Sequence, residues 1–237
     1  MLVKGASGGF SGGTAASLMN IVAEAKNDRK LARLLAHPYT LNPEGERDGP
    51  DGYDQRDVRY NEAQATWTAP FMMAPINTRV VRRGHALLGY PWGKEFRYEE
   101  AIMTGDGLSG RLKATAIAAG TGAVVVGGAF DISRGLLERF VLPKPGDGPN
   151  EAARESGFFN LRFFGTHPSG QVLAGKVTGQ GDPGYASTSR MIAQSAVCLA
   201  KDNVATAGGI LTPASAMAAP LLARLREHAR MKFEIVE

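Results

Sequence analysis

The chain has 237 residues, 43% of them hydrophobic and 21% charged, with a formal net charge of +4. That length and balance suit a sizeable buried core, in one large domain or two small ones, and exclude a wholly disordered chain. The modest positive charge is not gathered on one element with interleaved aromatics, which argues against nucleic-acid binding. A single cysteine, Cys198, excludes an intrachain disulfide framework and a cysteine-based zinc site. Four histidines, His37, His85, His167 and His228, lie far apart with no HExxH, so no metal site is expected. The lone cysteine, and a start that turns polar and glycine-rich where a secretory apolar run would lie, lead us to expect a reducing, cytoplasmic location.

Leu2-Val3 reads as the tail of a strand and GASGGFSGG as the loop after it, before a helix starting at Ser11 or Thr14 and running to about Lys26. Leu18, Ile21, Val22 and Ala25 are its expected inner face. The glycines do not stand at G-x-G-x-x-G spacing, and no lysine follows Gly8 to Gly13 as a phosphate loop requires. Gly5-Ala6-Ser7-Gly8-Gly9 satisfies G-x-S-x-G, but only four residues precede it, too few for the sheet and oxyanion loop of a nucleophile elbow. Two readings of Ser11-Gly12-Gly13-Thr14 stay open. Its N–H groups face an anionic or carbonyl group of a substrate or cofactor, or its glycines only allow a crowded turn.

Asp28 caps a short helix, Arg29 to Ala36, and residues 39–57 form a polar, Gly/Pro-rich loop expected to be mobile. A strand from Arg59 ends near Trp67, and a helix follows over about Asn77 to Leu88. Arg79, Arg82 and Arg83 share that helix at spacings that fit either a solvated face or a phosphate or carboxylate site. Phe96 to Met103 reads as a strand and Gly105 to Gly110 as its turn. Ala114 to Phe130 then runs seventeen residues without a charge. It reads as a buried helix, or as two pieces broken near Gly120-Thr121-Gly122. At about 1.5 Å per residue it is short for a bilayer span. The next stretch is amphipathic, with Ile132, Leu136, Leu137 and Phe140 inward and Arg134 and Arg139 available to headgroups. Peripheral membrane contact through residues 114–142 therefore fits better than spanning.

Pro143 to Pro149 breaks the chain, Asn150 to Glu155 forms a helical turn, and Phe158–Gly165 with Gln171–Thr178 forms a hairpin. Asp182-Pro183-Gly184-Tyr185 is a tight turn in front of a helix, with Asp182 as cap and Pro183 at its first position. Ile192, Ala196 and Leu199, with Met191 and Cys198, are its expected inner face, leaving Arg190, Gln194 and Lys201 outside. After a Gly-Gly turn, Thr212-Pro213 starts a helix to about Ala229 that carries Leu221, Leu222 and Leu225. Met231 to Val236 is the last strand.

Several stretches, in order along the chain, resemble one family: SGGTAAS (11–17), HPYTLNP (37–43), APFMMAPINTRVVRRGHALL (69–88), FRYEE (96–100) and LPKPGDGPNEAARESGFFNLRFFG (142–165). DPGY with AVCLAKD, GGILTPASAM and LLARLREHARMKFEIV complete the set. The chain is similar to the C-terminal part of the saccharopine dehydrogenase-like oxidoreductases, in particular the trans-acting enoyl reductases. The resemblance implies an α/β (α+β) fold with a mixed β-sheet and flanking helices, the substrate-binding and dimerising half of a two-domain oxidoreductase. Residues 1–58 would be a helical segment, 59–181 the mixed-sheet substrate domain, and 182–237 helices and a strand returning toward the nucleotide domain. NADP or NAD would be held mainly by an N-terminal Rossmann half not found in this sequence, and hydride would pass to a C=C or C=N bond of a lipid-like substrate. A Rossmann half or a homodimer partner would cover the apolar surfaces of the first and last helices. Ser11, Gly12, Gly13, Thr14, Arg79, Arg83, Asp182 and Tyr185 are the candidate substrate- or cofactor-facing residues, with no catalytic acid or base assigned. The alternative is a non-catalytic, lipid- or membrane-associated interaction module.

Overall fold

The computed structural model describes residues 1–7, 11–144, 146–204 and 206–236, and the side chains of Asp131 and Glu138 are not described. Gly8 and Gly9, on which the G-x-S-x-G reading rests, lie outside the described residues, as does Pro145 of the proline-rich break.

Seven strands form one sheet. They are β1 (Leu2–Ser7), β2 (Arg59–Asn61), β3 (Thr66–Pro70), β4 (Ala101–Gly105), β5 (Phe158–Thr166), β6 (Val172–Gln180) and β7 (Met231–Val236), in the order β2-β3-β4-β1-β5-β6-β7. Among the described residues, only β1 and β4 run parallel, with Leu2 opposite Ala101, and every other neighbouring pair is antiparallel. The expected mixed sheet is therefore present, with strands from all three expected segments in it. Leu2 and Val3 are buried at its centre, which is why the chain opens on an apolar pair.

Helices flank the sheet: α1 (Gly12–Asn27), α2 (Arg29–Ala36), α3 (Ala74–Leu87), α4 (Gly107–Gly128), α5 (Asp131–Phe140), α6 (Glu151–Ser156), α7 (Ala186–Lys201) and α8 (Pro213–His228). Period-two alternation turns Phe159, Leu161, Val177, Met231 and Phe233 toward Met191 of α7 and Leu225 of α8. Cys198, Met217 and Leu221 then fill the seam between those helices. Thr212 caps α8 in a reciprocal capping box with Ser215, and Pro213 takes the first turn as expected. The helix kinks at Ala218, just ahead of Pro220, whose ring cannot sit in a regular helical interior.

Several expectations are corrected. The inner face of α1 is Gly12, Ala15 and Met19, while Ile21 is exposed. On α7 Ser187 and Cys198 are buried and Met191 is partly buried against the sheet, whereas Ile192 is 69% exposed and Leu199 lies outside with it. Met191/Cys198 and Ile192/Leu199 are both apolar pairs seven residues apart, so periodicity alone does not choose between adjacent stripes. The helix starts at Ala186, later than Pro183, with the Ala186 N–H donating to the Asp182 carboxylate. Arg190 and Gln194, expected outside, bond to the Gln180 carbonyl and to Arg224.

The strand expected from Phe96 begins only at Ala101, because the Tyr98 N–H turns away to the Asp51 carboxylate. The helix α4 starts at Gly107, capped by Asp106, and runs unbroken through Gly120-Thr121-Gly122. It is not a buried helix: only Gly110, Ala114 and Gly128 are buried on it. Gly110 touches the sheet so closely that an added Cβ would lie 2.1 Å from the Gly105 carbonyl oxygen.

Candidate functional site

The candidate site is an apolar cleft beginning at the first turn of α1. Ser11 caps that helix, its Oγ accepting from the Thr14 N–H at 3.1 Å and meeting Thr14 Oγ1 at 2.8 Å. The Gly12 N–H donates to the Asp147 carbonyl at 3.3 Å, and the Tyr185 hydroxyl donates to the same oxygen at 3.0 Å. Two pieces of sequence that spacing alone leaves apart, SGGT and DPGY, thus meet on the proline-rich segment between α5 and α6. Gly148 is required there, since a Cβ would come within 2.6 Å of the Tyr185 ring.

Asp182 is fully buried and accepts from the N–H groups of Gly184, Tyr185 and Ala186 at 2.8–3.0 Å. Its own N–H donates to the Arg154 carbonyl at 2.8 Å, and Gly157 lies so near that a Cβ would sit 2.4 Å from that nitrogen. Asp182 therefore builds the turn that presents Tyr185, and all of these bonds stay within the chain.

Ala15 and Leu18 of α1 form one wall of the cleft, with Met72 beside them. Val124 of α4 and the run from Arg139 to Pro143, followed by Asp147 to Pro149, form the rest. The cavity volume is about 640 Å³, and its lining is mostly apolar, with Arg139 and Asp147 as its charged residues. Such a space suits an extended apolar chain with a polar end near the α1 start. Among the described residues, no group of three or more His, Cys, Asp or Glu side chains is placed to hold a metal ion.

The resemblance makes a nicotinamide dinucleotide worth testing against this helix start. The N–H groups of Gly12, Thr14 and Ala15 are already engaged by Asp147 O, Ser11 Oγ and Ser11 O. A pyrophosphate is held by several such groups turned outward, and these three do not fit it.

The arginines of α3 have a different task. Arg79 and Arg82 are 5% and 4% exposed, which corrects the solvated-face reading. Arg79 meets Asp54 at 2.6 Å and caps the end of α2 through the carbonyls of Leu35 and Ala36. Arg82 meets Asp51 at 2.6 Å and the carbonyls of Pro38 and Tyr98. Arg83 donates to the carbonyls of Leu41 and Ile210, joining the polar loop to the α7–α8 connection. Residues 39–57 are thus strapped down by guanidinium groups. Sequence reading missed the partners, Asp51 and Asp54, because an acidic residue in a polar loop carries no periodic signal.

Beside this clamp, Glu100 is buried, and that burial raises its pKa above the ordinary carboxylate value against the pull of donors Asn77 and Tyr98. Burial first, then the Glu100 charge, pushes the Tyr98 hydroxyl well above its ordinary range. His85 stacks on Trp92 with ring centroids 5.2 Å apart, and burial lowers its pKa, so its Nε2 accepts from the Trp92 N–H.

The chain is 38% identical over 236 residues to a protein of Mycobacterium tuberculosis strain H37Rv named as a candidate trans-acting enoyl reductase, covering 94% of this chain and 56% of the relative. It is 36% identical over 227 residues to a trans-acting enoyl reductase of Mycobacterium bovis BCG, and 34% identical over 230 residues to one of Mycobacterium ulcerans. Each of these two alignments covers 91% of this chain and 54% of the relative. No protein-family model matches the chain, and no solved structure matches it. The chain is therefore similar to trans-acting enoyl reductases and spans a little over half the length of the curated relatives it matches.

Proposed function

We propose that this chain is the substrate-binding part of an enoyl reductase-type oxidoreductase, related to the saccharopine dehydrogenase-like enzymes, and that its apolar cleft holds the acyl chain of a lipid-like substrate. The observation that carries this reading is the cavity of about 640 Å³ lined by Ala15, Leu18, Val124, Phe140 and Leu142, in a chain 36–38% identical to proteins named for enoyl reduction. The reducing equivalent is NADPH or NADH, held by a nucleotide-binding portion other than the described residues. In support, three N–H groups of the α1 start, those of Gly12, Thr14 and Ala15, are spent within the chain. The residues that shape the site are Ser11, Gly12, Thr14 and Tyr185 at its polar end. Asp182 orients Tyr185, while Arg79 and Arg83 hold the scaffold.

The test joins this chain to the remaining portion of a relative and follows NADPH or NADH oxidation with a long-chain 2-enoyl thioester. Turnover that rises with acyl length, and that needs both portions, is expected. Equal turnover on short and long acyl chains would contradict a cleft that binds the chain.

A further inference from the structure

The outer surface of α4 and α5 is apolar where it turns to solvent. Ile132 is 86% and Phe140 71% exposed, and Val126, Phe130, Leu136 and Val141 are exposed with them. The two helices are joined: Ser133 Oγ donates to the Gly127 carbonyl at 2.7 Å, and Leu137 packs over Gly127. The exposed side chains therefore belong to a built hairpin, and a patch of this kind marks an interaction surface.

Cations accompany its aromatic groups. Lys26 Nζ lies 5.7 Å from the Phe130 ring centroid and the Arg139 guanidinium 5.2 Å from that of Phe140. Arg29, Lys30 and Arg33 follow Lys26 on exposed α2 positions, and Arg134 stands on α5. Six basic residues in stretches 24–33 and 124–142 outnumber the four acidic ones, Glu24, Asp28, Asp131 and Glu138. Asp28 is moreover engaged by the N–H groups of Lys30 and Leu31. Two exposed rings each attended by a cation, within an apolar face, fit a headgroup layer, where the ring enters and the charge stays at phosphate level.

We propose that the α4–α5 hairpin, with the α1–α2 corner beside it, docks on an anionic lipid bilayer without crossing it. No helix among the described residues is long and apolar enough to cross a membrane. The hairpin also supplies Val124, Phe140, Val141 and Leu142 to the cleft. Docking would thus set the cleft wall against the lipid, and an acyl chain would reach the site without crossing water.

The experiment is co-sedimentation of the 237-residue chain with vesicles of phosphatidylcholine alone or with phosphatidylglycerol, at low and high salt. Binding to the anionic vesicles should weaken with salt, and Lys26→Gln with Lys30→Gln should lower it by about fivefold per cation removed. Val126→Ser with Ile132→Ser, both already exposed, should lower it at least about tenfold while circular dichroism stays unchanged. Leu18→Gln with Met72→Gln, on the cleft wall away from the hairpin, should leave vesicle binding as in the parent chain, so the two proposals fail separately. Absence of binding to anionic vesicles would overturn the proposal. So would a wild-type dimer that Val126→Ser with Ile132→Ser dissociates without any vesicle binding, since a second copy would then cover the face.

Discussion

Arg82 and Asp51 meet at 2.6 Å with both side chains only 3% exposed, and this pair fastens a loop of low intrinsic order to the back of α3. The guanidinium also spans to the carbonyls of Pro38 and Tyr98, so its donors are spread over three pieces of chain. Removing one partner strands a buried charge. Arg82→Ala or Asp51→Asn should each cost about 3–5 kcal/mol in urea unfolding. Arg82→Lys should rescue little, because an ammonium does not reproduce the planar fork. A loss below about 1 kcal/mol would mean that water reaches the pair.

The Asp182 turn gives a second prediction. Asp182→Ala removes the acceptor of three N–H groups and should lower stability by about 1–2 kcal/mol or more. Gly157→Ala should cost at least about 2 kcal/mol, because its methyl would meet backbone that has no room to move. Both should also shift Tyr185, so ultraviolet difference spectra of that ring are expected to change with the unfolding midpoint.

His85 predicts a pH dependence. Its folded pKa lies below the ordinary 6.5, so on acidification the unfolded chain takes up the proton first. Its contribution to stability is complete above about pH 6.5 and is lost as pH falls toward the folded value. The melting temperature should drop by about 1–3 °C on going from pH 7.5 to 5.5, with a change in Trp92 fluorescence. His85→Gln, which keeps an acceptor for the Trp92 N–H, should flatten that part of the curve.

Cys198 is fully buried, and burial raises the pKa of its thiol. A thiol-specific disulfide reagent should therefore react with the native chain far more slowly than with the unfolded one. Fast native reaction would show that the α7–α8 seam opens.

Much of the architecture was legible in the sequence because its signals are local. Ser11, Asp28 and Thr212 mark helix starts that the structure keeps, and the alternation around Phe159 and Leu161 gave the hairpin. What stayed hidden depends on distant partners. The Arg79 and Arg82 spacing fits a solvated face until Asp54 and Asp51 arrive from 25 and 31 residues away. The uncharged run from Ala114 looked buried because hydropathy reports composition, whereas α4 touches the sheet mainly at its first turns. The meeting of SGGT with DPGY rests on the Asp147 carbonyl, a backbone atom that carries no side-chain signature.

The central claim is that the cleft beside α1 holds an acyl chain, and ligand binding tests it most directly. A fluorescent long-chain fatty acid should bind the chain saturably below its micelle concentration, one per protein. Leu18→Gln with Val124→Gln should weaken that binding at least about tenfold with the fold intact. Binding that is non-saturable, or that the two substitutions leave unchanged, would contradict the account.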